Sequence, residues 1–378
     1  MEVKKKIPIA MPYLGTEEAQ AAYDTILTGW VTQGPRVAEF EQNFADYVGS
    51  KHAIAVSNCT TALHLSMLVA GIKAGDEVIC PSMSFIATAN AIRYVEAVPV
   101  FAEVGEDFNL SLEDVKKKVT NKTKAILLVH QIGMPADIEA FVAYCKDKNI
   151  VLIEDAACAI GSEVNGVKIG AHTDLVCFSF HPRKIITTGD GGMITTSNDD
   201  YNKKLRLLRQ HGMSVNDRAR HESKKVIFET YDTLGYNYRL TDIQASVGIQ
   251  QLKKLDEIVR RRREIAAWYE SALANYEDKV ILPKDKNGGK TNYQSYQIIL
   301  KDSVEKTVME IMQAMLDIGI ATRRGVMLIH EEQAYADIDI APLPETEKIH
   351  SRSVILPLYI GMTEEDVQYI CEQLVPHF

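Results

Sequence analysis

At 378 residues, 46% hydrophobic and 25% charged, the chain has the make-up of an ordinary globular protein and is long enough for about two domains. Its net charge of −9 and its scattered basic residues predict no nucleic-acid partner, because phosphate backbones need a concentrated basic surface. No apolar run approaches the roughly 20 residues of a membrane helix, and the N-terminal "MEVKKKIPIAMPYLG" is broken by Pro8 and Pro12, so neither a membrane partner nor a signal peptide is expected.

From about residue 50 onward, short apolar runs alternate with longer amphipathic ones. "AIAVS" (53–57) precedes a helix-like "TTALHLSMLVAG", and "DEVICP" (76–81) precedes "SFIATANAIRYVEA" and then "VPVFAEV". "KAILLVHQ" leads into a helix around 137–147, followed by "IVLIED" (150–155) and "LVCFSF" (175–180). Runs apolar on both faces predict a parallel sheet with helices on each side, an α/β doubly wound fold with a mainly parallel sheet. A long helix is expected through "RRRREIAAWYESALANY", its Arg260–Glu264 cluster read as a solvated face. Past the polar break "PKDKNGGKTN" come a strand at "YQSYQIIL", a helix at "VEKTVMEIMQAMLDIG", a strand at "IATRRG" and a last helix from about Glu364. The expected division is a large domain over 1–255 and a smaller C-terminal α+β domain over 256–378. The six cysteines show no metal-type spacing, which predicts no metal site and reduced thiols in a cytoplasmic protein.

In such sheets ligands bind beyond the carboxyl ends of the strands. That places Ser57, Thr60, Ser82 to Phe85, His130, Gln131, Asp155 and the stretch Ser179–Lys184 around one expected crevice. There is no G-x-G-x-x-G after the first strand and no Walker-type loop or H-E-x-x-H, which sets aside the common nucleotide and zinc readings. What remains is one lysine, one strand-end aspartate and hydroxyl residues at a helix start. Each suits one part of pyridoxal 5′-phosphate. Thr60 and Thr61 in "VSNCTTAL" stand where a helix N-terminus would hold a phosphate. Asp155 in "IEDAACAIG" would pair with a protonated ring nitrogen, and without such a partner it would serve as a local cap. Lys184, in "FSFHPRKIITTGDGGM", would supply the amine, its pKa lowered by burial, on a loop whose glycines let it swing. Phe85 could stack on the ring.

Three motifs in order, "EDAACAIG", "CFSFHPRKIITTGDGGMITT" and "LGYNYRLTDIQASVGIQQL", resemble the DegT/DnrJ/EryC1/StrS aminotransferases. The likeness runs from "GWVTQGPRVAEFE" to the C-terminal helix. Members of that family are fold-type-I, pyridoxal-phosphate-dependent enzymes that aminate nucleotide-linked keto sugars. The resemblance implies that Lys184 forms the Schiff base, Asp155 holds the ring nitrogen, Thr60, Thr61 and Ser179 hold the phosphate, and Phe85 packs on the ring. It implies a homodimer, because the asparagine of the "NYR" motif, Asn237, would reach the neighbouring subunit's phosphate. Trp30, Arg239 and His330 are the candidates for sugar or diphosphate contact. The donor implied is L-glutamate, and the acceptor a nucleotide-linked keto sugar aminated at C4 rather than C3. The chain departs from the family at Cys158, where Gln or His is usual and where a thiol is a poor donor, and mildly at Asp190 for glutamate. Two other readings stay open: a related sugar dehydratase, against which the lysine at 184 speaks, and a regulatory or scaffold protein on the same fold.

Overall fold

A computed structural model describes residues 6–215, 220 and 223–378. Two N-terminal helices that the apolar pattern had not suggested, α1 (Thr16–Leu27) and α2 (Pro35–Val48), precede the sheet. The order then runs β1 (His52–Val56), α3 (Cys59–Val69), β2 (Glu77–Pro81), α4 (Ala87–Arg93), β3 (Val98–Ala102), α5 (Leu112–Lys118), β4 (Thr123–Val129), α6 (Ile138–Lys148) and β5 (Val151–Asp155). Two short strands, β6 (Glu163–Val164) and β7 (Val167–Lys168), lead to β8 (Val176–Ser179), β9 (Gly192–Thr196), α7 (Asp199–Leu208) and the long α8 (Asp242–Leu273).

The seven-stranded sheet has the order β1-β9-β8-β5-β4-β2-β3. All of its strands are mutually parallel except β9, which runs against both neighbours. The expected α/β architecture with a mainly parallel sheet is therefore present. Alternation along the strands sorts the side chains onto two faces. On β5, Leu152 joins the core beneath α2, α6 and α8, and Ile153 joins the core beneath α3 and α4. Asp155 has the parity of Ile153 and so belongs to the α3 face, as does Ser179, which has the parity of Cys177. α3 is buried almost all round, with Ala62, Leu63, Leu65 and Met67 at 1% exposure or less, so its position against the sheet is fixed by packing rather than by its ends.

The smaller sheet holds β10 (Val280–Ile281), β12 (Tyr296–Leu300), β13 (Arg323–Arg324) and β14 (Ser353–Leu356), all antiparallel, in the order β10-β12-β14-β13. β11 (Gly289–Lys290) instead pairs with β6, in a three-stranded sheet with β7. Helices α9 (Val308–Asp317), α10 (Pro344–Ser351) and α11 (Glu364–Leu374) complete the C-terminal α+β part.

α8 spans 32 residues without interruption, passing through residue 255. Its core changes partner along the way: Leu255, Ile258 and Val259 pack in the large-domain core, and Ile265, Tyr269 and Leu273 in the C-terminal one. Ile7 also lies in the C-terminal core, bridged to Ile320. The arginine cluster on α8 departs from the solvated face expected of it. Arg262 is 7% exposed and donates to the carbonyls of Tyr293, Gln294 and Leu358. A helix that bridges two cores turns one side of every turn inward, and at position 262 that side carries a guanidinium rather than an apolar group. Among the described residues no helix is long and apolar enough to cross a membrane.

Candidate functional site

The carboxyl ends of β1, β5 and β8 bring Lys184, Asp155, Cys158, Thr60, Thr61 and Ser179 to one side of the sheet, on the α3 face. Lys184 sits between buried anchors. Ile185 and Ile186 lie in the large-domain core, and Phe178 and Phe180 pack with Phe40 and Phe44 of α2 at ring-centre distances of 5.0–5.8 Å. The loop is pinned more firmly than its glycines suggested. Thr187 Oγ1 and the Thr188 N–H both donate to the Phe180 carbonyl, and the Thr187 N–H donates to Gln251 of α8. Freedom at this site belongs to the lysine side chain rather than to the backbone.

The Lys184 Nζ donates to Cys158 Sγ at 3.1 Å. Burial pushes this amine's pKa down, as the sequence led one to expect, but the Cys158 sulfur, Asp155 and Cys59 outweigh it. The free amine is held above its ordinary value, which corrects the lowered pKa expected from burial alone. Asp155 is 6% exposed and burial pushes its carboxyl up, opposed by donors from the Ala157 N–H at 3.1 Å and Thr88 Oγ1 at 2.9 Å. Thr88, wholly buried, also meets Ser84 Oγ at 2.7 Å, so a file of hydroxyls leads from the loop after β2 to the aspartate. Sequence reasoning missed Thr88. Its signal was the spacing Ser84–Thr88, one helical turn at the start of α4.

At the first turn of α3, Asn58 Oδ1 accepts from the Thr61 N–H, and Thr61 Oγ1 returns a bond to the Asn58 carbonyl. Thr61 is thus spent on the cap, while among the described residues the N–H groups of Cys59 and Thr60 and the Thr60 hydroxyl have no partner. Opposite them lies Gly192, paired with Val56 on one side and Ser179 on the other. A Cβ at Gly192 would stand 2.5 Å from the Asn58 carbonyl carbon, so only glycine lets β9 approach this helix end. Free first-turn donors, a small hydroxyl and a glycine floor form an anion cradle.

Phe85 is 64% exposed, an aromatic face presented to solvent rather than the core packing usual for its type. His330 is held by Ser82 Oγ at 2.6 Å and faces Glu347 at 3.4 Å. Asn237 is exposed, its backbone bridged to Gln210, and Arg239 is half-buried next to Leu240. Trp30 folds back on its own loop, its Nε1 donating to the Gln33 carbonyl at 3.3 Å and its ring filling the space over Gly34. Within one chain, then, His330 is tied to Ser82 and Trp30 to its own loop, whereas Lys184 meets Cys158 and feels the Asp155 charge.

Two expected crevice residues turn elsewhere. His130 is fully buried, its Nδ1 accepting from the Ala136 N–H and its Nε2 facing Glu154 at 2.7 Å, on the opposite face of β5 from Asp155. Gln131 is buried and donates to the Met83 carbonyl. A strand end selects the right neighbourhood, but side-chain parity decides which residues look into it.

The residues fit pyridoxal phosphate: an amine beside a buried carboxylate in want of a cationic partner, an anion cradle one strand pair away, and an exposed ring on the neighbouring loop. All six cysteines are free thiols, and among the described residues no cluster could ligate a metal.

Comparison with known proteins places the chain in one family. The profile of the DegT/DnrJ/EryC1/StrS aminotransferase family matches residues 12–375. The GDP-perosamine synthase of Caulobacter vibrioides is 36% identical over 98% of this chain and 97% of its own. Among solved structures, PseC of Helicobacter pylori, an aminotransferase of pseudoaminic acid biosynthesis, superposes with a TM-score of 0.92 at 28% identity over 99% of both chains. Spr1654 of Streptococcus pneumoniae in its PLP-form superposes with a TM-score of 0.89 at 27% identity, over 98% of both chains.

Proposed function

We propose that this nucleotide-sugar aminotransferase, a chain that belongs to the DegT/DnrJ/EryC1/StrS aminotransferase family, carries an amino group from L-glutamate to C4 of a nucleotide-linked 4-keto-6-deoxy sugar. The reaction would serve cell-surface polysaccharide or lipopolysaccharide synthesis in the cytoplasm, with pyridoxal 5′-phosphate as cofactor. The observation that carries this reading is the Lys184 amine set beside the buried Asp155 carboxylate at the foot of the α3 anion cradle. The perosamine-synthase relatives support the choice of sugar class.

When bound, pyridoxal phosphate supplies an electron-withdrawing ring that takes up negative charge from the carbon losing its proton. Asp155 would hold the proton on the ring nitrogen, and Thr88 and the Ala157 N–H hold Asp155. The Cys59 and Thr60 N–H groups, with Ser179 across Gly192, would bind the phosphate. Phe85, exposed on the loop after β2, would pack on the ring and keep water from it. Lys184 would hold the cofactor through Nζ and, as a free amine, would move a proton at that same atom. Cys158 acts as acceptor rather than donor, keeping Nζ in reach, which gives the unusual thiol a use that hydrogen-bond donation would not.

The working unit in this proposal is a homodimer in which each Asn237 reaches the other subunit's phosphate. Tyr23, Ile26 and Leu27 of α1, with Val226, Phe228 and Leu234, are exposed apolar side chains that such an interface would cover.

The test is to load the protein with pyridoxal phosphate, add L-glutamate, and follow the visible band and the release of 2-oxoglutarate. Nucleotide-linked 4-keto and 3-keto sugars are then offered in turn. Amination of the 4-keto substrates alone is expected. A protein that stays colourless after incubation with the cofactor, or that aminates only 3-keto sugars, contradicts the proposal.

A further inference from the structure

Directly opposed residues of an antiparallel sheet share a face. Gln297 of β12 is opposed to Ile355 of β14, and Ile355 to Arg323 of β13, so the three form one row. Ile298, Val354 and Arg324 form the row on the other face, where Ile298 and Val354 belong to the C-terminal core. The Arg323 row therefore looks the same way as Ile299, which packs with Met83 and Ile132 of the large domain. It lines the seam between the two domains.

The opposite wall of that seam carries Arg183, the residue before Lys184. Its carbonyl accepts from Gln294 Nε2 at 2.7 Å, which ties the lysine loop to the segment leading into β12. Arg183 and Arg323 are both exposed, and among the described residues neither guanidinium has an acidic partner. Burial, and then repulsion from Arg183, holds the Arg323 pKa below its ordinary value. His181 is held down by burial and by the same Arg183 charge, with Lys184 adding to it. At the far end of the Arg323 row, beyond Ile355, Gln297 is fully buried, and neither polar atom of its side-chain amide has a partner among the described residues. A buried amide left unpaired is costly, as are neighbouring like charges without a counter-ion. In a chain of net charge −9 such a concentration of unopposed cations calls for an anion.

We propose that Arg183 and Arg323, one on each wall of the seam, clamp the diphosphate bridge of the nucleotide-linked sugar. This rests on the nucleotide-sugar reading above and adds to it the residues that recognise the nucleotide end. A diphosphate bears two charges and offers oxygens to two guanidinium forks at once, whereas the side-chain carboxylate of an amino-acid donor bears one. Binding energy taken up at the diphosphate, away from the reacting carbon, orients the sugar before Lys184 and draws the two walls together.

The experiment measures binding of GDP, UDP and dTDP to the cofactor-loaded protein by calorimetry, alongside the rate at which L-glutamate converts the visible band. Arg183→Gln and Arg323→Gln are compared with Arg324→Gln, which lies on the other face of the same strand. Because among the described residues neither Arg183 nor Arg323 has a side-chain hydrogen bond or ion pair, both variants are expected to fold normally. Each should weaken the best-bound diphosphate by about 10- to 100-fold, the loss of a hydrogen bond between charged groups. The glutamate step should be unchanged in both, and Arg324→Gln should bind as wild type. Undiminished diphosphate binding in both variants overturns the clamp and leaves the aminotransferase reading standing. So does a glutamate step that falls as far as diphosphate binding does. A wild-type protein that binds none of the three diphosphates removes the clamp and the substrate class together.

Discussion

Lys184 Nζ and Cys158 Sγ stand 3.1 Å apart, with the amine as donor and the sulfur as acceptor. Together with Asp155 and Cys59, that sulfur outweighs the effect of burial and keeps the free amine's pKa above its ordinary value. Only the neutral amine can attack an aldehyde. At any pH below the raised pKa the neutral fraction grows about tenfold per pH unit. Loading of cofactor-free protein, followed by growth of the visible band, is therefore expected to speed up steadily between pH 7 and 9. Cys158→Ala removes the leading partner and should move that profile toward lower pH. A profile that is flat, or identical in the variant, contradicts the assignment.

Thr88 donates to Asp155 Oδ2 at 2.9 Å from a fully buried position. Thr88→Val strips one of two donors from a buried carboxylate whose pKa is already raised by burial, and pushes it higher still. The expected result is a loss of about 10- to 100-fold in kcat, with the acid limb of the pH–rate profile displaced to higher pH. Thr88→Ser keeps the hydroxyl and should recover most of the rate with an undisplaced limb. Equal losses in the two variants would point to packing instead.

Gly192 lies against the backbone of Asn58 and Cys59, where an added Cβ would come within 2.5–2.8 Å. No flexible side-chain end can yield there. Gly192→Ala is expected to lower unfolding free energy by about 1–3 kcal/mol and to weaken cofactor loading at the same time. Denaturant unfolding and a phosphate-competition titration would show both effects. A stable variant with normal loading would mean that β9 and the α3 N-terminus do not form a shared cradle.

Glu41 is 5% exposed, accepts from the Ala55 N–H at 2.9 Å, and is ion-paired to Arg206 and Arg209. Burial raises its pKa, but Arg209 and then Arg206 outweigh that and hold it below the ordinary carboxylate range. A depressed folded-state pKa stabilises the fold above the unfolded value, and the contribution is lost as pH falls through the folded one. Glu41→Gln should cost about 3–5 kcal/mol at neutral pH, since it leaves two guanidinium groups without their anion. The variant should also lose less stability on acidification than wild type. Indistinguishable urea curves at pH 7 would contradict this.

Much of this arrangement is legible in the sequence. The β-type runs from Ala53 to Phe180 correspond to strands because residues buried on both faces leave continuous apolar stretches. Lys184, Asp155 and the α3 start could be placed on one side of the sheet because strand ends and helix starts carry local signals. The rest was hidden for a physical reason: it depends on distant partners. Asp242 accepts from the N–H groups of Gly34, Arg36 and Val37, capping α2 from more than two hundred residues away, and nothing near position 242 marks that. Arg262 looked like part of a solvated run because its three carbonyl partners lie on other segments. His130 was misjudged because its strand end was right and its face was not.

The central claim is that one amine on this chain, at Lys184, joins the cofactor. Borohydride reduction of the loaded protein, followed by proteolysis and mass analysis, tests it directly. The account predicts a single pyridoxyl group, on the peptide containing Lys184, and its loss in Lys184→Ala. A pyridoxyl group on another lysine, or none on a protein that still transfers amino groups, would contradict it.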